Sequence, residues 1–112
     1  MIVDRTKFPD RRGSVTEAVS VTLDAEQHKI RKVLVTFSFG EDGRVREIFC
    51  ADFKAGSAVQ SQMVDASIMA SRLLQHGVTA RQIVASLTTD PPSMIGDVLR
   101  AAVRMDAENG LD

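Results

Sequence analysis

Residues able to do chemistry are few in this chain, and they are scattered. The most suggestive group is Lys54-Ala55-Gly56-Ser57. It follows a strand-like segment and opens a helical one. A helix N-terminus offers free backbone N–H groups and a dipole that favours anions. Gly56 allows close backbone approach and Lys54 adds positive charge, so the chemistry on offer is contact with a phosphate or carboxylate. The same residues also serve as a plain capped helix start with a solvated lysine, and they lack the glycine spacing of a P-loop. Arg11-Arg12, with Arg5 and Lys7 nearby, makes a second cationic cluster able to grip phosphate or an acidic surface. Asp4 and Asp10 dilute it, and a solvated arm is the plainer reading.

Cys50 is the one cysteine. It rules out an intrachain disulfide and a cysteine-based zinc site. A nucleophilic role would need a base or a positive charge to lower its pKa, and only Lys54 is close in sequence. A small buried apolar group is the simpler assignment. His28 falls in a turn-like segment, and His76 falls in the last turn of a helical one, where it would meet the dipole. Glu47, Asp52 and Asp65 are the acids around the strand-to-helix junction. Paired carboxylates can do acid–base work, yet nothing in the spacing brings these three together. Asp65 is expected to face solvent or pair with Lys54. The chain therefore predicts no catalytic residue, no metal site and no cofactor.

The frame that must carry these residues is small. The chain has 112 residues, 44% of them apolar and 26% charged, which fits one globular domain. Net charge is −1, so no overall basic field argues for non-specific binding to nucleic acid or membrane. The N-terminus has no apolar core of a secretory signal. No apolar run approaches the roughly 20 residues of a spanning helix. A cytoplasmic protein is the expectation.

The chain divides near Gly56. All five phenylalanines lie before it and four of the five methionines after it. Aromatic and β-branched residues favour strands, whereas Met, Leu and Ala favour helices. Residues 1–13 read as a flexible arm. Val15, Val19, Val21 and Leu23 alternate on one strand face. Asp24 to His28 turns the chain. Val33, Val35, Phe37 and Phe39 share one face of a second strand. Gly40-Glu41-Asp42-Gly43 is a hairpin turn, and Val45 to Cys50 forms a third strand. A three-stranded antiparallel meander follows.

Three helices should then cover one face of that sheet, giving an α+β domain over residues 14–106. Ser57 and Gln60 form a capping-box pattern. Val59, Met63, Ala66, Ala70, Leu73 and Leu74 make one apolar stripe, and Gly77 stops the helix. Thr79 and Gln82 repeat the box for a short helix through Leu87. Asp90-Pro91-Pro92 breaks the chain. The last helix runs from about Ser93 to Asp106 with Ile95, Val98, Leu99, Ala102 and Met105 inward, and residues 107–112 should fray. Exposed edges on the first or third strand predict pairing with a second copy.

One stretch resembles a known family. Gly43-Arg44-Val45-Arg46-Glu47-Ile48-Phe49, then Lys54-Ala55-Gly56-Ser57, then Asp65-Ala66-Ser67-Ile68, Ala70-Ser71 and Leu74-Gln75-His76-Gly77-Val78 follow the order seen in the TSCPD domain family. That domain occurs at the C-terminus of adenosylcobalamin-dependent (class II) ribonucleotide reductases and in short stand-alone bacterial proteins. Pro9-Asp10-Arg11-Arg12-Gly13-Ser14 is similar to the start of the stand-alone members. The resemblance covers about residues 9–104. It departs where the family carries its Thr-Ser-Cys-Pro-Asp motif: here the region reads Leu87-Thr88-Thr89-Asp90-Pro91-Pro92, without cysteine. A redox or metal role tied to that cysteine is therefore not implied. Neither are a reductase's catalytic barrel, radical-site cysteine and cobalamin segment. The resemblance implies a non-catalytic accessory or interaction module. Its expected partner is a reductase, a nucleotide or a nucleic acid, met through Lys54, Gly56, Ser57, Arg11 and Arg12. The alternatives are a small enzyme with an anion site near Cys50, and a purely structural homodimer.

Overall fold

The computed structural model describes residues 13–54 and 56–111, and Arg11 and Arg12 lie outside them. Three strands come first: β1 (Ser14–Asp24), β2 (Lys29–Phe39) and β3 (Val45–Phe49). Three helices follow: α1 (Ala58–Gln75), α2 (Ala80–Ala85) and α3 (Met94–Glu108). The sheet order is β1-β2-β3, antiparallel throughout. This is the α+β meander that the alternating patterns predict. The first turn holds His28 at φ 54, with Asp24 Oδ1 accepting the Glu26 and Gln27 amides at 3.0 and 3.2 Å. In the second, Gly43 has φ 85 and donates its amide to the Gly40 carbonyl at 3.0 Å.

Val19, Val21, Val33, Val35 and Phe37 are buried beneath the helices, as their alternation requires. Val15 and Leu23 share that face but are exposed at the strand ends, beyond the helical cover. Glu17 also lies on this face, and its carboxylate meets Arg104 of α3 at 2.9 Å.

In β3 a simple alternation fails. Val45, Ile48 and Cys50 are all buried although Val45 and Ile48 are three residues apart. The register explains this. Phe37 faces Ile48 and Phe39 faces Val45, so β3 carries one extra residue. A β-bulge at Arg46 switches which parity points inward. The Arg46 side chain passes so near Gly40 that a Cβ there would lie 2.7 Å from its Cγ. Its guanidinium donates to the Leu74 carbonyl at 2.8 Å and to Asp42 at 2.7 Å. Burial works to raise the Asp42 carboxyl, but the bonds from Arg46 and the Arg44 amide hold it below its ordinary 3.8.

Helix α1 is rotated from its expected stripe. Met63, Ser67, Ala70, Ser71 and Leu74 are buried, whereas Leu73 is exposed and Val59 and Ala66 are half-buried. Polar demand from the sheet accounts for the rotation. β3 is an outer strand whose Ile48 amide and carbonyl point away from β2. The Ile48 amide donates to Ser71 Oγ at 3.0 Å, and that hydroxyl donates back to the Ile48 carbonyl at 3.1 Å. One serine thus does what a fourth strand would do.

Helix α3 acts similarly on both edges. Asp97 accepts the Thr22 amide of β1 at 2.8 Å, and Asp106 accepts the Val45 amide of β3 at 2.9 Å. The helix runs to Glu108, two residues past its expected end. Residues 107–111 are structured where fraying is expected. Gly110 adopts φ 80, the Leu111 amide donates to the Asp106 carbonyl at 2.8 Å, and the Asn109 side chain donates to the Gly43 carbonyl at 3.0 Å. That glycine-terminated cap closes the helix on the second turn.

Two stability outcomes follow from these bonds. Ser71→Ala leaves a buried amide and carbonyl without partners and should cost about 1–3 kcal/mol in urea unfolding. Ser67 sits one turn earlier, and its buried hydroxyl has no partner, so Ser67→Ala should leave stability unchanged or raise it. For Asp106, burial raises the carboxyl above its ordinary 3.8 and outweighs the lowering by the Val45 amide and Arg44. The folded chain then holds this proton to higher pH than the unfolded chain does. Relative to Asp106→Asn, the parent chain should lose stability as pH rises from 3.8 through the raised folded value, and regain it on acidification. Thermal unfolding of both proteins across pH 3–7 would check this; the opposite slope would refute it.

Candidate functional site

The Lys54–Ser57 junction is a closed hydrogen-bonded turn. The Lys54 carbonyl accepts the Ser57 amide at 3.1 Å and the Ser57 hydroxyl at 2.7 Å. Ser57 Oγ in turn accepts the Gln60 amide at 3.1 Å. Gln60 Oε1 takes the Gly56 amide at 2.9 Å, one residue earlier than a capping box would have it. Ser57's own amide is already turned toward Lys54, so Gln60 reaches past it. The Gly56 and Gln60 donors that an anion would use are thus engaged internally. Gly56 holds φ 82 with open space around its Cα, and Lys54 is exposed with no ion pair among the described residues.

The other candidates are dispersed. Cys50 is 1% exposed. Burial pushes its thiol up, a nearby Asp52 charge adds to the rise, and the Asp52 amide and Arg31 oppose it without reversing it. An activated nucleophile needs the opposite shift. Asp52 accepts the Leu34 amide at 2.9 Å and lies 3.8 Å from Arg31, whose guanidinium sits 5.0 Å over the Phe53 ring. It therefore covers the part of β2 that β3 is too short to reach. Asp65 faces solvent. His28 is exposed in its turn, and His76 caps α1 with Nδ1 2.8 Å from the Arg72 carbonyl. Among the described residues no three His, Cys, Asp or Glu gather as a metal site would need.

What residue-by-residue reading misses is a groove between β3 and α1. It has a volume of about 310 Å³ and is walled by Ile48, Phe49, Val64, Ser67, Ile68 and Arg72. Ser67 is 3% exposed and its hydroxyl is unpartnered. Phe49 is 60% exposed and Ile68 49%, with Leu73 and Met69 exposed along the same helix. Glu47 and Gln75 join the groove to a second hollow of about 530 Å³ beside Gly13 and Phe39. The signal was present in the sequence. α1 carries apolar residues at 68, 69 and 73 beyond those its core stripe uses, and surplus apolar surface on a helix marks a contact.

No family model matches the chain, and no solved structure matches it. The vitamin B12-dependent ribonucleotide reductase of Agrobacterium fabrum is 36% identical to it over 85 residues, 76% of this chain and 6% of that protein. The chain is thus related to one region of a ribonucleotide reductase and spans a small fraction of its length. No helix of the described residues is long and apolar enough to cross a membrane.

The buried thiol has a direct consequence. Iodoacetamide near neutral pH should leave Cys50 unmodified in the folded protein and label it promptly after denaturation. Rapid labelling of the native chain would contradict the burial described here.

Proposed function

We propose that this chain is a non-catalytic interaction module of the TSCPD kind, related to the C-terminal domain of class II ribonucleotide reductases, and that it binds a reductase polypeptide. The β3–α1 groove carries this reading. Its floor holds a buried hydroxyl in need of a hydrogen bond, and its rim is a cluster of exposed apolar side chains. Such a surface suits an apolar anchor with a neighbouring polar group, the usual composition of an interface centre. The likeness to a reductase segment supports the identity of the partner. Lys54, Gly56 and Ser57 stand at the head of the same helix. They would meet acidic groups at the margin of the contact, and the charges of Arg11 and Arg12 would add to the attraction.

A second reading has its own observation. Lys54, which has no ion pair among the described residues, lies beside the open Gly56 and favours an anion, so a nucleotide or nucleic acid would dock at the junction rather than in the groove. An enzymatic role for Cys50 is disfavoured by its burial and raised pKa.

Affinity of the purified chain for a purified adenosylcobalamin-dependent reductase, read by biolayer interferometry, separates these. Phe49→Ser with Ile68→Ser should weaken binding at least about tenfold, the loss expected of central apolar anchors. Both residues are exposed, so the fold should survive. Reversal of Lys54, Arg11 and Arg12 to glutamate should weaken it less and chiefly at low salt. Unchanged affinity in the groove variant would remove the groove from the site. No reductase binding, with a thermal shift on adding nucleotides or single-stranded DNA, would favour the second reading.

A further inference from the structure

A three-stranded sheet has two outer edges, and this molecule treats them differently. The β3 edge is closed by Ser71 on Ile48 and Asp106 on Val45. Among the described residues, the β1 edge is closed at one point only, where Asp97 accepts the Thr22 amide. That bond fixes the direction of every other group on the strand. Thr22 faces outward, so Ser20, Ala18, Thr16 and Ser14 turn their amides and carbonyls outward too, while the odd residues pair with β2. The Leu34 amide confirms this from the far side of β2: Leu34 lies opposite Ala18 and donates away from β1, to Asp52. From Ser14 to Ser20, no described residue pairs with the open edge.

Among the described residues nothing along that stretch blunts it. Exposed edges are commonly protected by proline, lysine, a bulge or a covering loop. Residues 14–20 read Ser-Val-Thr-Glu-Ala-Val-Ser and contain neither proline nor lysine. The strand's irregularity lies further on, between Thr22 and Asp24. Glu17, the sole charge, is drawn to the helix side by Arg104.

We infer that β1 pairs with β1 of a second copy, joining two sheets into one of six antiparallel strands. A two-fold axis sets identical edges antiparallel, so the pairing continues the pattern within each sheet. The four outward residues are small and exposed, and their side chains leave room for a neighbouring strand. Beside the edge runs a hollow of about 490 Å³ that includes Asp97, Arg100 and Arg104. Arg100 meets Asp97 at 3.2 Å and Arg104 meets Glu17 at 2.9 Å. A two-fold contact presses a surface against itself, and only a surface of mixed sign is then complementary in charge. This strip has that character. It lies at the opposite edge of the sheet from the β3–α1 groove, so the pairing stands whether or not the groove binds a reductase.

Light scattering of the full chain over a concentration series tests it, with a mass of twice 12.2 kDa expected. Ala18→Pro removes one outward amide and leaves the ladder to β2 intact. It should raise the dimer dissociation constant at least about tenfold, one backbone bond being lost on each copy. Should that variant unfold by circular dichroism, Thr16→Lys with Ala18→Lys gives the same test through like charges on facing strands. Hydrogen exchange adds a local readout: the Thr16, Ala18 and Ser20 amides should be protected in the parent chain, and those of them that remain should be fast in the variants. A parent chain that stays at 12.2 kDa up to about 200 µM overturns the inference. So does a dimer that both folded variants leave unchanged.

Discussion

Open backbone at the sheet edges is the constraint on which the rest of this structure depends. Three strands make only two ladders, so two rows of amides and carbonyls are left over, and buried ones must find partners. Ser71, Asp97 and Asp106 supply them from the helices. The arrangement ties sheet to helices by polar bonds as well as by apolar packing. It also decides which helical face turns inward. A serine and two aspartates occupy positions that a purely apolar core would give to leucine or alanine. Asp106 shows the cost, since its carboxyl is held in the interior with its pKa raised.

The rotation of α1 links this constraint to function. Bringing Ser71 to Ile48 turns Leu73 outward and leaves Ile68 and Met69 in solvent. The bulge at Arg46 has a matching effect on β3. Ile48 and Cys50 go in, and Phe49 goes out. Helix rotation and strand bulge together assemble an apolar rim around a groove whose floor holds the unpartnered Ser67 hydroxyl. The surface proposed here to meet a reductase polypeptide is thus a by-product of how the outer strand is closed. The buried thiol turns attention away from catalysis by Cys50.

Much of this was legible beforehand, for identifiable reasons. Val33, Val35 and Phe37 alternate without interruption because β2 is central and regular. Thr79 and Gln82 announce a capping box and form one, because a cap needs only residues three apart. Ser57 and Gln60 form a cap with a different amide, because the preceding turn had already claimed Ser57's. Hydropathy alone sets the expected α1 stripe, and it favours Leu73 over Ser71. Hydropathy cannot register that an outer strand needs a hydroxyl. The expected end of α3 is Asp106, yet Asn109 carries the helix onward by bonding to a turn more than sixty residues away, and Gly110 closes its cap locally on Ala107.

By itself the sequence determined the order of strands and helices, the hairpin turn at Gly43, the central strand's inward face and the chain breaks at Gly77 and Asp90-Pro91. Those features rest on residues near one another in the chain, where period, turn chemistry and capping act. Tertiary structure alone decided the phase of α1, the parity switch in β3 and the difference between the two sheet edges. Each of these depends on which distant backbone groups must be satisfied when the layers meet, and no local pattern carries that information.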